Sequence, residues 1–160
     1  MHSKTYWGDP SAKYNRSERY LAGVGYLDGV HPSIIMCRGY YNDAVIRTYI
    51  WDGEELTLQW EHDGAKKGDT SIYGQGNHQL SIADIDNDGK DEIVYGSVAI
   101  DDDGVAVGNT YLGHGDALHV NDFNNDGIQE AFSVKEDKEG YAENAANFRV
   151  PTSKKSLWGK

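Results

Sequence analysis

Cys37 is the only cysteine in the chain, so no intrachain disulfide can form. It sits in the apolar run Ile34-Ile35-Met36-Cys37, where the expected role is that of a small buried hydrophobe. Basic residues are scarce: 15 Lys and Arg stand against 26 Asp and Glu, for a formal net charge of −11. With no basic patch to neutralise phosphates, nucleic acid is excluded as a partner, and the pair Lys154-Lys155 is too small to change that. No apolar run approaches the length of a membrane span, which excludes a membrane-spanning helix. Met1 to Tyr6 carries no apolar core of the kind a signal peptide needs. Helical periodicity is nearly absent too. Ser17 to Leu21 is the one stretch that reads as a helical turn.

What the chain has is short runs of β-branched and aromatic residues, cut by Gly, Asp and Asn, as in an all-β protein. Ser33 to Cys37 reads as a buried strand. Ala44 to Trp51, the turn Asp52-Gly53 and Leu56 to Trp60 read as a hairpin. Gln79 to Ala83 and Glu92 to Ser97 form the next pair, and Val98 to Ile100 and Val105 to Val107 flank the turn Asp101 to Gly104. Ala117 to Val120 and Glu130 to Val134 repeat the earlier pair. Beyond Glu139 the patterning is weak, which divides the 160 residues into 1–139 and a tail, 140–160.

Two acidic loops carry the strongest signal. The run Asp84-Ile85-Asp86-Asn87-Asp88-Gly89-Lys90-Asp91-Glu92 is echoed 38 residues later, from Asp122, by Asp122-Phe123-Asn124-Asn125-Asp126-Gly127-Ile128-Gln129-Glu130. Oxygen-bearing side chains at positions 1, 3 and 5, a glycine at 6 and a glutamate at 9 give a hard cation such as Ca²⁺ the oxygens it needs. The expected ligands are Asp84, Asp86, Asp88, the Lys90 carbonyl and Glu92, then Asp122, Asn124, Asp126, the Ile128 carbonyl and Glu130. The bland alternative is a pair of solvated turns. An amide at position 3 makes the second site the weaker one. Strands flank both loops, which separates them from an EF-hand. The 38-residue period with four short strands per repeat fits a β-propeller blade, and about three blades can be drawn. Since a closed propeller has about four to eight, the remaining blades or self-association would be needed to cover the sheet edges.

If each acidic loop follows the innermost strand of a blade, the segments before those strands lie on the opposite rim. They are Gly74-Gln75-Gly76-Asn77-His78 and Gly113-His114-Gly115-Asp116. Glycine lets backbone approach a ligand closely, and His with Asp supplies a base, a donor or metal ligands. Ordinary turns with exposed histidines are the alternative. His119 stands on the strand face opposite Leu118 and Val120, either a satisfied interior histidine or a site residue. A second cluster holds Trp7-Gly8-Asp9, Asn15-Arg16 and Arg38-Gly39-Tyr40-Tyr41. Arginine can clamp a carboxylate and Tyr faces can carry a sugar ring, against a bland reading as packing and surface ion pairs.

Together these motifs resemble polysaccharide lyase family 11, the rhamnogalacturonan lyases. The matching segments are Tyr20 to Gly29, Pro32-Ser33, Arg38 to Tyr41, Gly74 to His78, Asp84 to Ile93 and Gly113 to His119. The resemblance implies an eight-bladed, calcium-stabilised propeller that cleaves the galacturonate–rhamnose backbone of pectin by β-elimination. It implies an extracellular or cell-envelope setting and a pectic partner, rhamnogalacturonan I. His78, His114 or His119 would be the base, and calcium or Arg38 would sit against the uronate carboxylate. Asn77, Asp116, Asn15, Arg16, Tyr40 and Tyr41 would touch the sugar. The rival is a non-catalytic propeller module that binds glycan or protein through the same rim.

Overall fold

A computed structural model describes residues 19–41, 44–64 and 72–135, and the backbone of two further strands at 146–149 and 156–159. Twelve strands are β1 (Tyr20–Gly25), β2 (Ser33–Arg38), β3 (Val45–Trp51), β4 (Leu56–Asp63), β5 (Ser81–Ala83), β6 (Glu92–Tyr95), β7 (Val98–Ile100), β8 (Ala106–Asn109), β9 (Gly115–Asn121), β10 (Glu130–Lys135), β11 (Ala146–Arg149) and β12 (Ser156–Gly159). They form three four-stranded antiparallel sheets, ordered β1-β2-β3-β4, β5-β6-β7-β8 and β9-β10-β11-β12. Each sheet is a meander in chain order, and the first strands β1, β5 and β9 lie side by side.

The sheets stack through two cores. Ile93, Tyr95, Val98 and Ile100 meet Ile35, Cys37, Tyr40 and Ile46 of the first sheet, while Val94 and Ala99 meet Leu118 and Ala131 of the third. Every residue of β6 and β7 is therefore buried. This is why those strands read as continuous apolar runs without alternation. Cys37 is 2% exposed, and burial pushes its thiol up to about 12, so it packs as a hydrophobe.

Three sequence readings are corrected. Tyr20 and Leu21 open strand β1, paired with Arg38 and Cys37, and are not part of a helical turn; cross-strand pairing overrides the weak local preference. The weakly patterned stretch beyond Glu139 contains β11 and β12, which complete the third sheet. The turn after Trp51 is also longer than Asp52-Gly53: Asp52 Oδ1 accepts the Glu54 and Glu55 N–H groups, and β4 begins at Leu56.

Candidate functional site

The two glycine–histidine segments, 36 residues apart from His78 to His114 in the sequence, come together. His78 N–H donates to Gly115 O (3.0 Å), Gly115 N–H to Gly76 O (3.3 Å), and Asn77 bridges Gly115 in parallel fashion. Gln75 Oε1 accepts the Gly113 N–H, and Gln79 Oε1 accepts the Leu118 N–H. A Cβ on Gly76 would lie 2.7 Å from Tyr40 Cα, and one on Gly115 would collide with Val134 O. The glycines thus admit neighbouring protein, where the sequence reading has them admit a ligand. Asn77 is fully buried, donating to Ala117 O and accepting from Gln79 N–H, so it positions the loop. Gln75 stands inside the first motif and Gln79 directly after it, but the sequence reading gave neither a role.

That junction packs four rings together. Tyr40 stacks on His114 with centroids 5.1 Å apart and planes at 18°, His78 lies 4.7 Å from His114, and Tyr41 lies 4.3 Å from it. The sequence reading separated the tyrosines from the histidines; the packing of the first sheet against the second unites them. His114 Nδ1–H donates to Gly76 O and Tyr40 O, which leaves the lone pair on Nε2. Burial, and then the neighbouring His78, lowers its pKa to about 4. His78 turns Nδ1 toward Asp116 Oδ1 (3.6 Å) and Nε2 toward the Tyr41 hydroxyl (3.2 Å). The His78 and Asp116 side chains are 37% and 31% exposed, so this edge of the cluster opens to solvent. His78, His114 and Asp116 offer ligand atoms within 4.8 Å of one another.

Other expected site residues lie elsewhere. His119 is exposed, opposite Phe132 in the β9–β10 register, and outside the ring cluster. Arg38 is 4% exposed with its guanidinium 5.9 Å from the Tyr20 ring centroid. Trp7, Asp9, Asn15 and Arg16 lie outside the described residues.

The acidic loops occupy the other end of β5 and β9, as the topology required. Their backbone N–H groups are held in the same way. Asp84 accepts from the Asp88 and Gly89 N–H groups as Asp122 does from Asp126 and Gly127. Glu92 Oε2 accepts the Ile85 N–H as Glu130 Oε2 accepts that of Phe123. Asn87 and Asn125 have φ of 64° and 61°, and Gly89 and Gly127 have φ of 92° and 88°. Nothing would crowd a Cβ at either glycine, so backbone conformation alone selects it. Asn87 Nδ2 donates to Gly127 O and ties the two loops together.

The copies differ at position 3. Asn124 Nδ2 donates to Asp126 Oδ2 (3.0 Å) and Glu130 Oε1 (3.1 Å). Asp86 has no such donor to offer, and Glu92 Oε1 is buried with no hydrogen-bond partner. Burial, and then the nearby Asp86, Asp101 and Asp84, pushes the Glu92 carboxyl up to about 7, against the pull of the Ile85 N–H. Asp84, Asp86 and Glu92 lie within 4.8 Å of one another, as do Asp122, Asp126 and Glu130. The first loop therefore fits a divalent cation. The second fits one once the Asn124 amide gives way.

The chain matches the family described as rhamnogalacturonan lyase family 11, C-terminal domain, over residues 3–160. It is 48% identical over 155 residues to the rhamnogalacturonan endolyase YesW of Bacillus subtilis (strain 168), covering 96% of this chain and 24% of that protein. It is also 48% identical over 133 residues to the rhamnogalacturonan exolyase YesX of the same organism, covering 82% and 21%. The crystal structure of YesW superposes with a TM-score of 0.85 at 47% identity, over 96% of this chain and 26% of that one. The Bacillus licheniformis rhamnogalacturonan lyase PL11 gives 0.84 at 43% identity, over 96% and 26%. The chain thus spans about a quarter of the length of these relatives. It belongs to rhamnogalacturonan lyase family 11, as a stretch of that family's C-terminal domain.

Proposed function

We propose that the chain is part of a rhamnogalacturonan lyase, that its three sheets are consecutive blades of a propeller, and that the histidine rim lines the substrate cleft. The observation that carries this is the convergence of both glycine–histidine motifs on one half-open ring cluster, in a chain that is 48% identical to two such lyases. β-Elimination removes the C5 proton of galacturonate, forms the C4–C5 double bond and breaks the bond from C4 to its glycosidic oxygen. His78 suits the base: Asp116 orients Nδ1, and Nε2 meets a hydroxyl that can pass a proton. His114, whose burial makes it a weak base, holds the Tyr40 and Gly76 backbone in place. Tyr41, only half-buried, offers a ring face to the sugar, with the buried Tyr40 packed behind it, and Asp116 acts through His78. Calcium in the acidic loops would brace the opposite rim. When bound near a uronate carboxylate, such a cation supplies charge that acidifies the C5 proton. An extracellular or cell-envelope setting, where pectin is found, goes with this reading.

The test is to incubate the protein with rhamnogalacturonan and calcium and to follow ultraviolet absorbance from the unsaturated uronate. H78A should lower the rate by about 10²–10⁴-fold without changing the melting temperature appreciably. Binding without any absorbance change would favour the non-catalytic module.

A further inference from the structure

Among the described residues, Tyr111 is the one residue other than Asn and Gly with a positive φ, at 56°. A bulky side chain in the left-handed region is strained, and such strain persists only where neighbouring contacts hold it. Here Asn109 Oδ1 accepts the Tyr111 N–H (2.8 Å), and the Thr110 N–H donates to Ser97 O (2.9 Å). The ring gains no burial in return, since Tyr111 is 65% exposed. The 38-residue offset that relates the acidic loops also carries Tyr73 onto Tyr111, and Tyr73 is 44% exposed. One amide joins the two positions: Gln75 Nε2 donates to Tyr73 O (3.3 Å), and Gln75 Oε1 accepts the Gly113 N–H (3.0 Å). Ser97 closes the same junction, donating from its N–H to Gln75 O and from Oγ to Gly113 O. Both tyrosines therefore stand where the segments carrying His78 and His114 begin, on backbone fixed by hydrogen bonds. A tyrosine face offers an apolar, electron-rich surface to the C–H bonds of a sugar ring, and the same electron density repels a carboxylate. Along a galacturonate–rhamnose backbone the unit that suits it is the uncharged rhamnose. We propose that Tyr73 and Tyr111 form a sugar-stacking subsite beside the histidine rim, which holds a rhamnose unit of the chain and so favours rhamnogalacturonan over polymers of galacturonate alone.

This inference rests on the proposed lyase function, and the test separates the two. Calorimetric titration of rhamnogalacturonan oligosaccharides into H78A protein reads binding with cleavage slowed. Y73A and Y111A in that background should each weaken the affinity by about tenfold, whereas Y111W should keep it. With His78 restored, Y111A should raise KM on rhamnogalacturonan by a similar factor and leave kcat nearly unchanged, because the ring touches substrate away from the bond that breaks. Polygalacturonate should bind the parent and both alanine variants equally weakly. Y111G is the control for a structural role. It removes the ring and relieves the positive φ, so the urea midpoint should hold or rise while sugar affinity falls. A lower midpoint in Y111G, or unchanged oligosaccharide affinity in Y73A and Y111A, overturns the subsite and leaves the lyase function standing. Failure of both the parent and H78A to bind rhamnogalacturonan overturns both.

Discussion

The His114 ring lies among Tyr40, Tyr41 and His78, so a proton on it would lose water and face a second imidazole. Its pKa falls from 6.5 to about 4. Between those values the unfolded chain takes up a proton that the native state refuses, so stability falls as pH drops from 6.5 toward 4. The groups facing the ring are His78, which adds to the shift, and the Tyr40 and Gly76 carbonyls and Asp116, which oppose it. Glu92 acts in the opposite sense in cation-free protein: its carboxyl is raised to about 7, so the stability it contributes is lost as pH rises from 4.5 through 7. The difference between parent and variant isolates the histidine. H114N, whose amide can replace the Nδ1–H donor, should flatten the acid limb of a denaturant-midpoint profile measured from pH 7 to pH 4.5. An unchanged slope would mean that other groups set it.

At the scale of elements, position 3 separates two loops of otherwise equal design. In the second, the Asn124 amide satisfies Asp126 and Glu130; in the first, a buried carboxylate oxygen is unsatisfied. N124D should therefore lower the melting temperature in EDTA and raise calcium affinity at the second loop, where a tenfold gain corresponds to about 1.4 kcal/mol. Calorimetry and paired melts would read both signs. On the opposite rim, G76A should cost about 1–3 kcal/mol, because the added methyl meets Tyr40 backbone and the Tyr95 ring; urea unfolding measures it. These elements differ in how openly the sequence displays them. The loops were legible because their acidic residues lie within nine positions of one another and recur 38 residues later. The union of Tyr40 and Tyr41 with the histidines was not, because it depends on sheet stacking. Strands β11 and β12 escaped notice because they complete a sheet whose pairing partner, β10, lies before the weak stretch.

Across the whole molecule, the middle sheet is covered on both faces and the first sheet on one. Gly23 lies where a Cβ would be 2.5 Å from Ile82, so that face of β1 is sealed against the second sheet. On the other face Tyr20, Val24 and Met36 are 59%, 61% and 40% exposed, with Ile34 beside Val24 in register. These exposed apolar side chains share one face with Arg47, which lies beside Met36, and exposed apolar side chains grouped in this way suit an interaction surface. In a chain spanning about a quarter of its relatives' length, the occupant that goes with the proposed function is another four-stranded sheet. The 160-residue chain by itself should then self-associate through this face, which sedimentation velocity at rising concentration would detect. The double substitution V24K and M36K should abolish that association while leaving the melting temperature of the dilute chain nearly unchanged, because neither side chain belongs to a buried core. In contrast, a lysine at Ile93, which is fully buried, should unfold the chain, since an unpaired charge there has no route to water. A parent chain that stays monomeric at every concentration would mean that this face needs no neighbour, and would remove the main physical reason for placing another sheet against it.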